Sequence, residues 1–162
     1  MIDQENINII VAQGLNNATG CEVVKSNLAN ARIPTYPYIS FTVLNTDTKK
    51  GTYSVSNGQR YMPLTQTWSL TVQGDNDNKT QLAAMKAKDW LEEAGRLYLN
   101  DHGIVVQNVG AITNRDTLLT IEYEYRKGFD AVLSIMNVVE ARDGETIDTC
   151  LLYTSPSPRD TR

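Results

Sequence analysis

The chain has 162 residues, 41% of them hydrophobic, and its 15 Lys and Arg against 19 Asp and Glu give a formal charge of −4. That is one domain's worth of polypeptide, long enough to bury a real core, and its charge has the wrong sign for a protein whose main task is gripping phosphates. It leaves room for a protein lining a passage through which nucleic acid slides, because like charge prevents sticking. Nothing at Met1-Ile2-Asp3-Gln4 reads as a signal peptide, and no apolar run approaches the ~20 residues of a membrane span, so a soluble, intracellular protein without a membrane partner is expected.

Asp3–Leu15 has the pattern of a short amphipathic helix, with Ile7, Ile10, Val11 and Leu15 on one side and Asn16–Gly20 as the stop. Glu22–Lys25 has room for a short strand. Pro34 and Pro37 push the residues before them into extended geometry, and Tyr38–Leu44 then alternates as a strand with Ile39, Phe41 and Val43 on one face. Asn57-Gly58 between Tyr53–Ser56 and Gln59–Met62 is a hairpin signal, because both central residues of a type I′ turn need positive φ. The returning strand runs on to Gln73, with Trp68, Leu70 and Val72 inward and Thr67, Ser69 and Thr71 outward.

Lys79 to about Tyr98 is the main helix of this reading. Its dry stripe is Ala83, Ala87, Trp90, Leu91, Ala94, Leu97 and Tyr98, which places Trp90 between helix and sheet. Asn100–Gly103 ends it, Ile104–Val109 follows as a strand, and Asn114-Arg115-Asp116 is a loop. Thr117–Glu140 is expected to form two strands folded back on each other. Arg126-Lys127-Gly128 serves as a tight turn with Gly in the left-handed position, or as a bulge in one continuous strand. Leu119–Tyr125 alternates cleanly, whereas from Phe129 onward both the set Phe129, Ala131, Leu133, Ile135, Val139 and the set Val132, Met136, Val138 are apolar. A strand written that way expects cover on both sides, and in a domain with few helices a neighbouring subunit is a natural source. Asp143-Gly144 offers a last turn into a final strand. The fold class is α+β: a mainly antiparallel β-sheet with one long helix packed across a face and a short N-terminal helix.

Cys150-Leu151-Leu152-Tyr153-Thr154-Ser155 is the translation of TGT-CTC-TTA-TAC-ACA-TCT, and Pro156-Ser157-Pro158-Arg159-Asp160 continues the same string. Residues 150–162 thus resemble a translated transposase adapter from a sequencing library; a natural Ser/Pro-rich tail is the alternative. On the adapter reading, residues 1–149 are a single domain interrupted near Thr149, and 150–162 are a non-native tail. Without that tail the chain has 13 basic and 18 acidic residues, a formal charge of −5, and Cys21 as its one cysteine, which leaves no disulfide framework.

Each candidate chemical site has a plainer explanation. Asp75-Asn76-Asp77 opens like a calcium loop, but that loop wants Gly at its sixth place and Glu at its twelfth, and those places hold Thr80 and Lys86. An acidic loop capping a helix accounts for it. Glu122 and Glu124 share a strand face and are read as its wet side, not as a catalytic pair. His102, the single histidine, sits in a helix-to-strand loop with no Cys or His near it in sequence. No phosphate-binding loop, nucleophile elbow or Cys–His pair is present. No catalytic residue, cofactor or metal site is assigned.

The order of a helix, Ile33-Pro34-Thr35-Tyr36-Pro37-Tyr38-Ile39-Ser40-Phe41 entering a strand, a polar strand, the Trp90 helix and Tyr123-Glu124-Tyr125-Arg126-Lys127-Gly128-Phe129-Asp130 resembles the neck or tail terminator proteins of tailed bacteriophages. The resemblance spans nearly all of residues 1–149. It implies a structural virion protein of the tail or neck, made in the host cytoplasm, that forms a ring, commonly sixfold. Such a ring closes the tail tube and joins it to the head-side connector. The implied partners are further copies of the chain, the tail tube protein and the connector protein, with DNA only passing through the lumen.

A ring needs a heterologous interface, and two-sided apolar strands or open sheet edges can provide one. Tyr36, Tyr38, Tyr53, Tyr61, Tyr123 and Tyr125 add aromatic residues of the kind enriched at interfaces. The candidate contact residues are Arg126, Lys127, Phe129, Asp130, Val132, Met136 and Val138. Two other classes stay open: another phage head-completion or tail-tube protein, and a carboxylate-dependent hydrolase using Glu122, Glu124 or Asp130 gathered in a concave pocket.

Overall fold

A computed structural model describes residues 2–26, 34–118 and 123–140. The chain divides into two compact units, a larger one of Asp3–Thr48 with Thr65–Ile135 and a smaller one that includes Lys49–Leu64 and the stretch from Met136 onward. Leu119–Glu122, the Asp143-Gly144 turn, the final strand and the adapter-like segment lie wholly outside the described residues.

The larger unit opens with α1, Gln4–Thr19. The Asp3 carboxylate accepts from Asn6 N–H at its start, and Gly20 closes it in the left-handed region at φ 76°. With 16 residues it is as long as the next helix, so the short helix expected here is extended by a turn past Leu15. Strand β1, Glu22–Lys25, pairs parallel with β2, Tyr38–Lys49, in the register Glu22 to Tyr38. Strand β3, Ser54–Ser56, returns as β4, Gln59–Gly74, through Asn57 at φ 51° and Gly58 at φ 75°, as the turn chemistry requires.

The expected single long helix is two. Helix α2, Asp77–Glu92, is capped by the Asn76 side chain on Lys79 N–H, and α3, Ala94–Asp101, begins after Glu93 leaves helical geometry at φ −119°, ψ −98°. The break lets the backbone at Gly95 close onto Trp90: a Cβ there would lie 2.4 Å from the indole and 2.5 Å from the Trp90 carbonyl oxygen. On its other side the indole meets Gly14 of α1, where a Cβ would lie 2.4 Å away. Trp90 is therefore a half-buried wedge among three helices, not a residue buried between helix and sheet. The break also rotates the dry stripe. Gly95 and Leu99 are buried, while Ala94 is exposed and Leu97 is 72% exposed.

After α3 come β5, Ile104–Val109, β6, Thr113–Asn114, β7, Thr117–Leu118, and β8, Tyr123–Glu140. The sheet order is β1-β2-β4-β8-β5. Strands β5, β6 and β7 pair antiparallel with successive stretches of one β8 edge, with a bulge at Gln107 between the Val106–Leu133 and Asn108–Val132 pairs. β8 is thus one continuous strand, and no turn occurs at Arg126-Lys127-Gly128. Gly128 is needed for closeness and not for a turn. A Cβ there would lie 2.6 Å from the Arg115 guanidinium and 2.7 Å from the Leu70 carbonyl oxygen.

The core of the larger unit is made by Trp68, Leu70 and Val72 of β4, Ile39 and Phe41 of β2, Phe129 to Ile135 at alternate positions of β8, and the helical residues Val11, Leu15, Ala87, Leu91 and Leu99. Phe41 stacks on Trp68 with centroids 5.0 Å apart. Gln66, fully buried on the same face, accepts from Trp68 Nε1 at 3.0 Å and donates to the Thr46 carbonyl at 3.1 Å and to Gln4 of α1, so its amide is satisfied in the dry layer. Gly128→Ala should destabilise the protein by about 1–3 kcal/mol, because neither the Leu70 carbonyl nor the tethered Arg115 can retreat freely. Thermal unfolding should show a melting temperature lower by several degrees.

Candidate functional site

Along β8 two faces diverge. Lys127, Phe129, Ala131, Leu133 and Ile135 are buried, and the Lys127 ammonium reaches Asp77 at the start of α2, so this face looks to the helices. Glu124, Arg126, Gly128, Asp130 and Val132 belong to the other face, which no described helix covers. Tyr38 and Ser40 of β2 and Ser69, Thr71 and Gln73 of β4 share it, by the alternation of their strands.

Arg115, from the link between β6 and β7, lies across this second face. Its guanidinium donates to Ser69 Oγ at 3.0 Å and Thr71 Oγ1 at 2.9 Å and pairs with Asp130 at 3.3 Å, spanning from β4 to β8 over Gly128. Beside it Glu124, 5% exposed, accepts from Arg126 Nε at 2.6 Å and from Tyr36 Oη at 2.6 Å. Glu124 is therefore not on a wet face. Its burial is compensated by two strong donors. The ring of Tyr36 stacks on Tyr38 at 5.8 Å, and Ser40 and Gln73 bond reciprocally. A polar cleft of about 290 Å³ lies between Ser26, Tyr38, Ser40, Thr71, Gln73, Arg115 and Arg126. Burial, followed by the Glu124 charge, raises the Tyr38 pKa, which keeps its hydroxyl protonated in this cleft.

A second network crosses the strand to the helices. Lys127 Nζ lies 3.0 Å from Asp116 and 3.1 Å from Asp77. Asp116 also accepts the Arg126 N–H at 2.8 Å and the Tyr123 hydroxyl at 3.1 Å. Burial works against the Asp116 carboxylate, yet the bonds from Arg126 N–H, Lys127 and Tyr123 outweigh it and hold its pKa below the ordinary value. For Lys127, burial lowers the pKa, but Asp116 and Asp77 together raise it.

The sequence-derived contact residues separate accordingly. Phe129, 1% exposed, belongs to the core, and Lys127 to the internal ion-pair network. Arg126 and Asp130 stand on the polar face in ion pairs, Val132 is half-buried there, and in the smaller unit Met136 is 49% exposed and Val138 half-buried. From sequence, Arg115 and Asp116 read as loop, Asp77 as part of a helix cap and Tyr36 as one of the interface aromatics, but without their partners; they lie in loops or at a helix start, where no periodicity marks a buried partner. His102 caps the end of α3, with Nδ1 2.9 Å from the Tyr98 carbonyl oxygen. Among the described residues no group of His, Cys, Asp or Glu is placed to hold a metal, and no described helix is long and apolar enough to cross a membrane.

These features define an α+β protein whose polar side chains are spent on joining its own strands and loops. A family model described as phage neck terminator protein matches residues 8–154, and the chain belongs to that family. The match takes in Cys150–Thr154, the first residues of the adapter-like segment. No curated protein matches the chain. Family membership places it among structural proteins of the phage neck or tail.

Asp116→Asn should cost about 3–5 kcal/mol, because it leaves Lys127 buried with only the more exposed Asp77. Since the Asp116 pKa is depressed in the folded chain, its contribution is present above the unfolded value, about 4, and is lost as pH falls through the lower folded one. The wild type should therefore lose stability below about pH 4, and Asp116→Asn should flatten that loss in denaturant midpoints measured against pH.

Proposed function

We propose that this chain forms a homo-oligomeric ring, of six copies by the family resemblance, that ends the tail tube and joins it to the head-side connector in the phage neck, without catalysing a reaction. The family match over residues 8–154 carries this reading. Two of the three carboxylates of the enzymatic alternative support it: Glu124 is held by Tyr36 and Arg126, and Asp130 pairs with Arg115, while Glu122 lies outside the described residues. DNA passes through the lumen without being gripped, in keeping with the net charge of −4. Assembly takes place in the host cytoplasm.

The ring contact uses the exposed side of β8, with Arg126, Asp130 and Val132 in the larger unit and Met136 and Val138 in the smaller. Residues 1–149 form the functional part, and the segment from Cys150 is adapter-derived. Met136 is an exposed methionine on a strand, so a carboxylate there is harmless in the monomer and is buried unpaired only when copies meet. Met136→Asp should leave a folded monomer by light scattering and, in the phage, filled heads and finished tails that fail to join. Rings and joined virions formed normally by this variant would remove Met136 from the contact.

A further inference from the structure

Lys49–Leu64 contains Lys49, Lys50 and Arg60 and no acidic residue, so a stretch of the smaller unit carries +3 in a chain whose total is −4; the rest carries −7. Lys49 and Lys50 are exposed. The β3–β4 pairing sets Val55 opposite Arg60, and the Arg60 guanidinium lies 4.7 Å over the Tyr53 ring, so Tyr53, Val55 and Arg60 make one face of the hairpin. Tyr53 is 51% and Val55 40% exposed. An exposed aromatic–aliphatic pair with Arg60 against it and two exposed lysines a few residues before it has the composition of a protein contact.

The larger unit carries the complementary surface. The outward side of α2 exposes Leu82 at 53% and Met85 at 48%, and one to two turns further on Asp89 and Glu93 are exposed on the same side. Lys79 and Lys86 share this face, so its acidic character is confined to its C-terminal end, and Glu92 beside it pairs with Lys88 at 3.6 Å. The helix thus offers an apolar pair with Asp89 one turn on and Glu93 at its cap, an acidic end toward which the lysines of the hairpin can turn.

We infer that the basic hairpin of one copy docks on the outer face of α2 in a second copy, with Tyr53 and Val55 against Leu82 and Met85 and the lysines against Asp89 and Glu93. Two different patches meeting head to tail are what a closed ring requires, so the inference deepens the neck-ring reading and rests on it. Nucleic acid is the poorer occupant. Three cations release few counterions, two of the exposed groups are apolar, and the −7 on the rest of the chain repels phosphate while it attracts the hairpin of another copy.

Sedimentation velocity on the full chain tests this. Wild-type association should weaken as ionic strength rises. Lys49→Glu with Lys50→Glu, or Asp89→Lys with Glu93→Lys, should each weaken it on the order of tenfold or more. All four positions are exposed, so melting temperature and circular dichroism should not change. The chain carrying both reversals should associate again, as should a mixture of the two reversed chains. Hairpin reversal that leaves rings intact, or a doubly reversed chain that fails to regain association, overturns the docking while leaving the neck-ring reading in place. A short DNA duplex that binds the wild type through Lys49 and Lys50, with self-association unaffected by their reversal, makes nucleic acid the partner instead. A wild type that stays monomeric alone and on tail tubes overturns both readings.

Discussion

The burial of the Lys127 ammonium is the constraint around which the larger unit is arranged. A cation 7% exposed has to be met where it lies, and three segments distant in sequence supply what it needs: β8 carries it, Asp116 comes from the β6–β7 link, and Asp77 comes from the first turn of α2. Removing water from such a charge costs several kcal/mol unless good hydrogen bonds replace it. β8 is therefore held straight through Arg126-Lys127-Gly128, and Asp116 is set so that it also takes the Arg126 N–H. The strand's register, the loop's path and the start of the helix are one electrostatic decision.

Straightness at Lys127 produces the second layer. On the opposite face, the missing side chain of Gly128 lets Arg115 lie against the strand and reach Ser69 and Thr71 of β4 and Asp130 of β8. One guanidinium, with its planar fork of donors, cross-links two strands above the plane in which their backbones pair. Glu124, Arg126 and Tyr36 continue that layer, so the helix-free face of the larger unit is organised by hydrogen bonds where the helix-covered face is organised by apolar packing.

This division bears on how a neck protein of this kind can assemble. On this face Arg126 and Asp130 are already paired within the chain, so a partner covering it gains from its apolar members and not from new ion pairs. The exposed apolar residues, Met136 of β8, Tyr53 and Val55 of the hairpin and Leu82 and Met85 of α2, gain most when another surface removes them from water. Charge then selects among the possible pairings, because the basic hairpin is drawn to the acidic end of the α2 face and repelled by another hairpin.

The sequence by itself determined what depends on neighbours along the chain. The Asn57-Gly58 hairpin, the inward run Trp68, Leu70, Val72, the strand at Ile104–Val109 and the family resemblance in Tyr123–Asp130 were legible, because turn chemistry and alternation act over a few residues. Tertiary structure decided whatever depended on a partner far away. Arg126-Lys127-Gly128 has the composition of a turn, but Asp116 and Asp77 make it strand, and Glu124 alternates like a solvent-facing residue until Tyr36 arrives from 88 positions away. The stripe from Ala83 to Tyr98 is periodic enough for one helix, yet the helix breaks at Glu93, where Gly95 closes onto the indole of Trp90 and Leu97 turns outward. Periodicity reports which side of an element is apolar; only packing determines where an element stops and which buried charge finds its counter-ion.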